Sequence, residues 1–259
     1  MPLKETVRNS LIFGIAAMHS TRSLKGKSRI VSIHDVPPRV RDAFEHKMLW
    51  LKEHYSIVSL EQIYYDRDLD DSKLSIAITF DDGFKEQADY AAPFLRAHGM
   101  PATFFIPSAA IGAGPEFAQN VRRRHGNFEF VTHEDVKTLA TDPLFEIGGH
   151  TMHHSDLGAK MSFEELRTEI TEDKHRLEEV GGKPVRFFAY PFGSPKNLRT
   201  ESMDTIRKEY LAAFTIVPAF WNKTGDLYAA GRDSLAVWDS DMLWSAWLKG
   251  GYDWMSSKK

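Results

Sequence analysis

Two short stretches hold most of the side chains that could do chemistry. Asp81 and Asp82 stand side by side at the end of the apolar run "SIAITF", and Gly83 follows them. His150, His153 and His154 fall within "HTMHHSD", directly after "FEIGG". Imidazole nitrogen is a standard ligand for zinc and similar cations, and two His with one carboxylate form a familiar catalytic set. Three His in five residues beside a buried strand favour a metal site over a solvated loop. If Asp82 holds a divalent cation, its charge is neutralised locally and Asp81 can stand beside it as a base. The same pair also fits a helix N-cap followed by a first-turn acid, and these residues alone do not separate the two readings.

Other chemistries find little support. The chain has no cysteine, which removes disulfides, thiolate metal sites and Cys nucleophiles. No G-x-S-x-G, HExxH or strand-linked GxGxxG is present, which argues against a nucleophile elbow, a zincin site and a dinucleotide site. The formal net charge of -3 gives no compositional case for nucleic acid or an anionic membrane as the main partner. No apolar run reaches the ~20 residues of a membrane span. "LIFGIAAM" (residues 11 to 18) is short for a signal peptide, Glu5 interrupts its positive flank, and it reads as a short amphipathic helix.

The elements that must position these residues alternate between short apolar runs and helical patterns. Strands are expected at "RIVSI" (29 to 33), "YSIVSL", "KLSIAITF" (73 to 80), "PATFFI" (101 to 106), "LFEIGG" (144 to 149), "VRFFAY" (185 to 190), "AAFTIV" (212 to 217) and "SLAVW" (234 to 238). Val40, Phe44, Met48 and Leu51 share one helical face, and Pro93 divides or kinks the helix after Gly83. Thr132 with Asp135 marks one helix start, and Ser162 with Glu165 opens another that runs to Gly181 and Gly182. A last helix begins near Asp241. Residues 111 to 130 read as an inserted loop. At 259 residues this is one α/β domain with a parallel sheet, closed as a barrel or doubly wound. Sites in such folds form at the C-terminal strand ends. There lie His34-Asp35, Asp81-Asp82, the His cluster and Pro191-Phe192-Gly193, with Arg232 just before the last strand.

"TFDDG" (79 to 83), "HTMHH" (150 to 154) and "FAYPFG" (188 to 193) together make the chain resemble the polysaccharide deacetylases, the NodB-homology or carbohydrate esterase family 4 enzymes. The resemblance spans roughly residues 29 to 237. It implies a distorted (β/α)7 barrel as a single catalytic domain over 29 to 259; the residues before it, 1 to 28, read as a helical extension. It implies that Asp82, His150 and His154 bind a divalent metal, usually Zn2+ and sometimes Co2+ or Ni2+. Asp81 would be the general base, and the backbone N–H of Phe192 would help stabilise the oxyanion. Thr151 would brace the loop, and His153 has no ligand role. The substrate implied is an N-acetylhexosamine unit of a surface polysaccharide, a lipid-linked glycan or peptidoglycan.

The chain departs from that pattern in two places. Many members carry an Arg two residues before the Pro of the third motif, where this chain has Ala189; Arg232 is the preferred replacement and Arg186 the alternative. The family's late catalytic His is absent, since no His follows His175. His34 ends the first strand, as in relatives with this element at the N-terminus, and is expected to be the general acid. Among the aromatics, Tyr190 and Trp221 are the expected sugar contacts, while Trp244 and Trp247 suit a helical core stripe. Cleavage of an O-acetyl or other small acyl group, and a catalytically silent glycan-binding barrel, are the alternatives. A cytoplasmic location, including a membrane surface, is expected, with the periplasm left open.

Overall fold

The computed structural model describes residues 24–121 and 128–253. Most of the expected helical extension and Trp254 lie outside the described residues. Eight strands form one sheet: β1 (Ser28–Ile33), β2 (Ser56–Val58), β3 (Ser75–Phe80), β4 (Ala102–Ile106), β5 (Phe145–Gly149), β6 (Phe187–Ala189), β7 (Ala212–Phe214) and β8 (Asp233–Ser234). Their order is β7-β6-β5-β4-β3-β1-β8, with β2 paired to the start of β3. All the pairings are parallel. The chain leading into β8 also bonds β7. Ala213 N–H donates to the Leu227 carbonyl (2.9 Å) and Thr215 N–H to that of Ala230 (2.8 Å). Residues 227–234 therefore join the two ends of the sheet and curl it into a barrel.

Alternation along each strand sets which residues face inward. Ile30, Ala77, Phe105, Phe187, Ala189 and Phe214 pack together inside the barrel. Val31, Ile33, Ile76, Ile78, Phe80, Phe104 and Phe188 pack outward against the helices. A Cβ on Gly148 would lie 2.3 Å from the Phe105 ring, so this large inward ring requires a glycine on the next strand.

The helical layer comprises α1 (Arg41–His54), α2 (Leu60–Tyr65), α3 (Ala92–Ala97), α4 (His133–Thr141), α5 (Phe163–Gly181), α6 (Thr200–Glu209) and α7 (Asp241–Leu248). Both expected capping boxes form, Thr132–Asp135 before α4 and Ser162–Glu165 before α5. Gly182 ends α5 in the left-handed region (φ 66°). Pro93 lies in the first turn of α3, directly after a π turn over Gln87–Ala91. The wide turn accommodates the N–H that proline lacks. The short helices α2 and α6 are not anticipated by the sequence reading. The last strand is shorter than its apolar pattern suggests, because the chain turns at Ala236, whose carbonyl accepts from Asp239 N–H (3.0 Å).

Candidate active site

Asp81 and Asp82 follow β3, and the chain reverses through two left-handed residues, Asp82 (φ 76°) and Gly83 (φ 70°). Asp tolerates that conformation better than most residues. Among the described residues six non-glycines have positive φ, and four of them are Asp82, Thr151, His154 and Phe192. Backbone strain is thus concentrated where the three motifs meet. The turns aim the two carboxylates at different partners.

Asp82 faces the imidazoles. Its Oδ1 lies 3.1 Å from His154 Nε2 and 3.5 Å from His150 Nε2, and all three residues are buried. His150 Nδ1 contacts the Ala189 carbonyl (2.6 Å), and His154 Nδ1 contacts that of Asn120 (2.9 Å). A carbonyl only accepts, so each Nδ1 carries the proton and each Nε2 presents a lone pair. Three acceptors then crowd one point with no donor between them, and a cation resolves that repulsion. Two nitrogens and one oxygen suit a divalent transition metal with positions left open for ligands. Burial lowers His150, which keeps it neutral and available as a donor of its lone pair.

Asp81 faces a guanidinium. Arg232 donates through Nη1 to Oδ1 (2.7 Å) and through Nη2 to Oδ2 (2.8 Å), a fork-to-fork pair. Ser32 Oγ donates to Oδ2 (3.1 Å). Arg232 is fully buried, and it also donates to Thr79 Oγ1 (3.0 Å) and the Thr215 carbonyl (3.2 Å). Burial alone would raise the Asp81 carboxyl, but the Arg232 charge and its hydrogen bonds hold it below its ordinary value. Arg186 is engaged elsewhere, by Glu61 and Glu146.

A cleft of about 190 Å³ lies over these groups, and His34, Tyr190, Phe192, Val121, Ile216 and Ser234 complete its lining. Gln87 Nε2 bonds the carbonyls of His34 (2.7 Å) and Asp81 (2.6 Å), which ties together the ends of β1 and β3. Phe192 adopts φ 61° and sets its ring edge-on to His154, with centroids 4.7 Å apart. Tyr190 contributes a buried wall, its hydroxyl donating to the Tyr228 carbonyl (2.9 Å). Trp221 does not line this cleft. Its backbone N–H bonds Ser28 at the start of β1, and its ring packs near Tyr64 and Phe214. That is the opposite mouth of the barrel from Asp82 and His34. Thr151 Oγ1 accepts from Ser155 N–H (2.8 Å), and His153 turns outward onto Glu169 (2.7 Å).

Two positioning residues escape the sequence reading. Asn120 receives the His154 proton on its carbonyl, and its side chain donates to the His153 carbonyl (3.0 Å). It belongs to the stretch expected as a loose insert. Where described, that stretch is packed: Phe117, Ala118 and Val121 join Phe84 and Phe130. Asp173 of α5 is fully buried and accepts the N–H of Ser108 (2.8 Å) and of His150 (2.9 Å). Its signal was an acid on the apolar stripe Leu166, Ile170, Leu177. Burial raises this carboxyl to about 7 against the pull of those two N–H groups. Asp173→Asn places an amide donor against one of them. It should destabilise the fold by about 1–3 kcal/mol and weaken metal binding about 10–100-fold, as measured by urea unfolding and metal titration.

The chain has counterparts among known proteins. A family model described as polysaccharide deacetylase matches residues 68–211. The Bacillus subtilis protein YxkH is 23% identical over 210 residues, covering 80% of this chain and 68% of that one. A poly-beta-1,6-N-acetyl-D-glucosamine N-deacetylase of Staphylococcus aureus is 24% identical over 159 residues, covering 58% of this chain. The match spans about half (52%) of that relative's length. Among solved structures, a polysaccharide deacetylase from Bacillus cereus aligns with a TM-score of 0.68 at 22% identity, over 85% of this chain and 69% of the other. These structural likenesses establish the fold.

Proposed function

Because the chain belongs to the polysaccharide deacetylase family, we propose that it removes N-acetyl groups from N-acetylhexosamine units of a surface polysaccharide or lipid-linked glycan. The observation that carries this reading is the division of labour between adjacent carboxylates, Asp82 among imidazoles and Asp81 on a guanidinium. The staphylococcal relative, named for the same bond in a poly-N-acetylglucosamine, supports the substrate class. The catalytic unit is residues 29 to 259, acting in the cytoplasm or at a membrane surface. Among the described residues no helix is long and apolar enough to cross a membrane.

A divalent cation, Zn2+ or else Co2+ or Ni2+, held by Asp82, His150 and His154 would supply the Lewis acidity that a carboxylate base held this low requires. Asp81 accepts the proton of the attacking water, and Arg232 keeps it ionised and fixes its two oxygens. The backbone N–H of Phe192 donates to the oxygen that gains charge as the acetamide carbon becomes tetrahedral. His34 returns a proton to the departing amine nitrogen. Tyr190 closes the cleft wall and excludes water behind the acyl group.

Acetate release from N-acetylglucosamine oligomers should vanish on chelation and return on adding Zn2+, with one metal per chain by elemental analysis. Release that persists in metal-free protein would reject the metal-dependent mechanism. Stoichiometric metal with no release from N-acetylated oligomers, but release from O-acetylated glycans, would move the reading to ester hydrolysis. Metal and glycan binding without release from either would indicate a silent barrel.

A further inference from the structure

A second cleft, of about 210 Å³, adjoins the first and shares His34 and Ser234 with it. One side is the chain from Ile33 to Asp35, and the other runs from Ser234 to Trp238. Trp238 is 62% exposed. A single exposed apolar side chain is ordinary in itself. What distinguishes this one is its support and its place. The Ala236 carbonyl accepts both Asp239 N–H and the indole Nε1–H of buried Trp244, each at 3.0 Å. Leu235 N–H bonds the Ser32 carbonyl (3.2 Å), which anchors the same turn to β1. The backbone of the turn that carries Trp238 is thus fixed to the strands that present His34 and Arg232. Among the described residues its ring stacks on no other ring and meets no cation.

Resting on the deacetylase reading, we propose that this cleft is a subsite for the sugar unit next to the one that loses its acetyl group. The occupant follows from continuity: a polymer whose acetamide reaches Asp82 and His34 must send its neighbouring unit along one wall of the cleft, and this cleft opens from His34. A pyranose ring offers a face of C–H groups and a rim of hydroxyls. A rigid indole matches that face at low entropic cost. Asp35 on one side and Ser234 on the other offer polar groups to the cleft. Binding of the non-reacting unit holds the reacting one in place, so the protein should favour oligomers.

The test compares kcat/KM on an N-acetylglucosamine tetramer with kcat/KM on 4-nitrophenyl acetate, which cannot span both clefts. Trp238→Ala should lower the tetramer-to-ester ratio at least about tenfold, and Trp238→Phe should restore most of it. Met242→Ala, at an exposed apolar residue on α7, serves as the control. An unchanged ratio in Trp238→Ala overturns the subsite, whether both rates fall or neither does. Loss of cosedimentation with phosphatidylglycerol vesicles at an unchanged ratio overturns it too, and assigns the indole to a lipid surface. A native protein inactive on tetramer and ester alike rejects the deacetylase reading and the subsite with it, whereas native tetramer activity with an unchanged ratio rejects the subsite alone.

Discussion

Asp81→Asn should lower kcat by about 10²–10⁴-fold, the range a positioned general base contributes, and leave the metal in place. The substitution removes the proton acceptor but none of the donors on Asp82, His150 and His154. It also strands a charge. Arg232 is fully buried, and its fork to Asp81 (2.7 and 2.8 Å) loses the negative partner. Breaking a buried pair from one side costs about 3–5 kcal/mol, so the variant should also unfold at lower urea. Adding Arg232→Gln should recover much of that stability and none of the turnover. The sign with pH follows from Asp81 lying below its ordinary value when folded. Its stabilisation is complete above the unfolded carboxyl value of about 3.9 and is lost as pH falls through the lower folded value. The stability gap between native protein and Asp81→Asn should therefore hold through mildly acidic solution and close only in strong acid. Equal loss of metal and turnover in Asp81→Asn would refute separate roles for the two aspartates.

His150→Ala should lose metal and turnover together. Groups that merely orient a ligand cost about 10–100-fold in affinity when removed, and deleting a donor atom should cost more. Metal should fall to background after dialysis, where Asp81→Asn keeps one per chain. His150 also bridges layers, since its Nδ1 meets Ala189 of β6 and its backbone N–H meets Asp173 of α5. The second contact survives in the variant, so the loop should stay anchored. A His150→Ala protein with stoichiometric metal and native rate would remove this residue from the site.

The barrel is legible because its strands are buried on both faces and read as near-continuous apolar runs. The candidate metal group is legible because its side chains are the chemistry, with His150 and His154 four apart on one turn and Asp82 at the end of a strand. The rest of the site is harder to read for particular physical reasons. Arg232 meets Asp81 across 151 positions, and nothing local in "GRDS" encodes that meeting. Asn120 serves His154 through a backbone carbonyl, which any residue type would offer. Asp173 did leave a trace, since an isolated acid on an apolar helical stripe needs a buried partner. Aromatic residues near the C-terminus suggest a sugar platform, but residue type does not say which mouth of the barrel they reach. Trp221 returns to the start of β1, while Trp238 stays at the strand ends.

The closing strand has a consequence for the order in which competence arises. The donors on Asp82, His150 and His154, with Ala189 behind them, all lie on strands or turns made before β7. Arg232 arrives only with β8, and Arg29 of β1 then grips the adjacent Asp233 at 3.0 Å across 204 positions. Contacts so distant in sequence form late, after the loop-closure entropy of the intervening chain has been overcome. A nascent or proteolytically clipped chain could therefore present the donor trio while its base lacks a counter-charge. In the proposed mechanism, competence therefore waits for β8, directly after Arg232, to close the barrel.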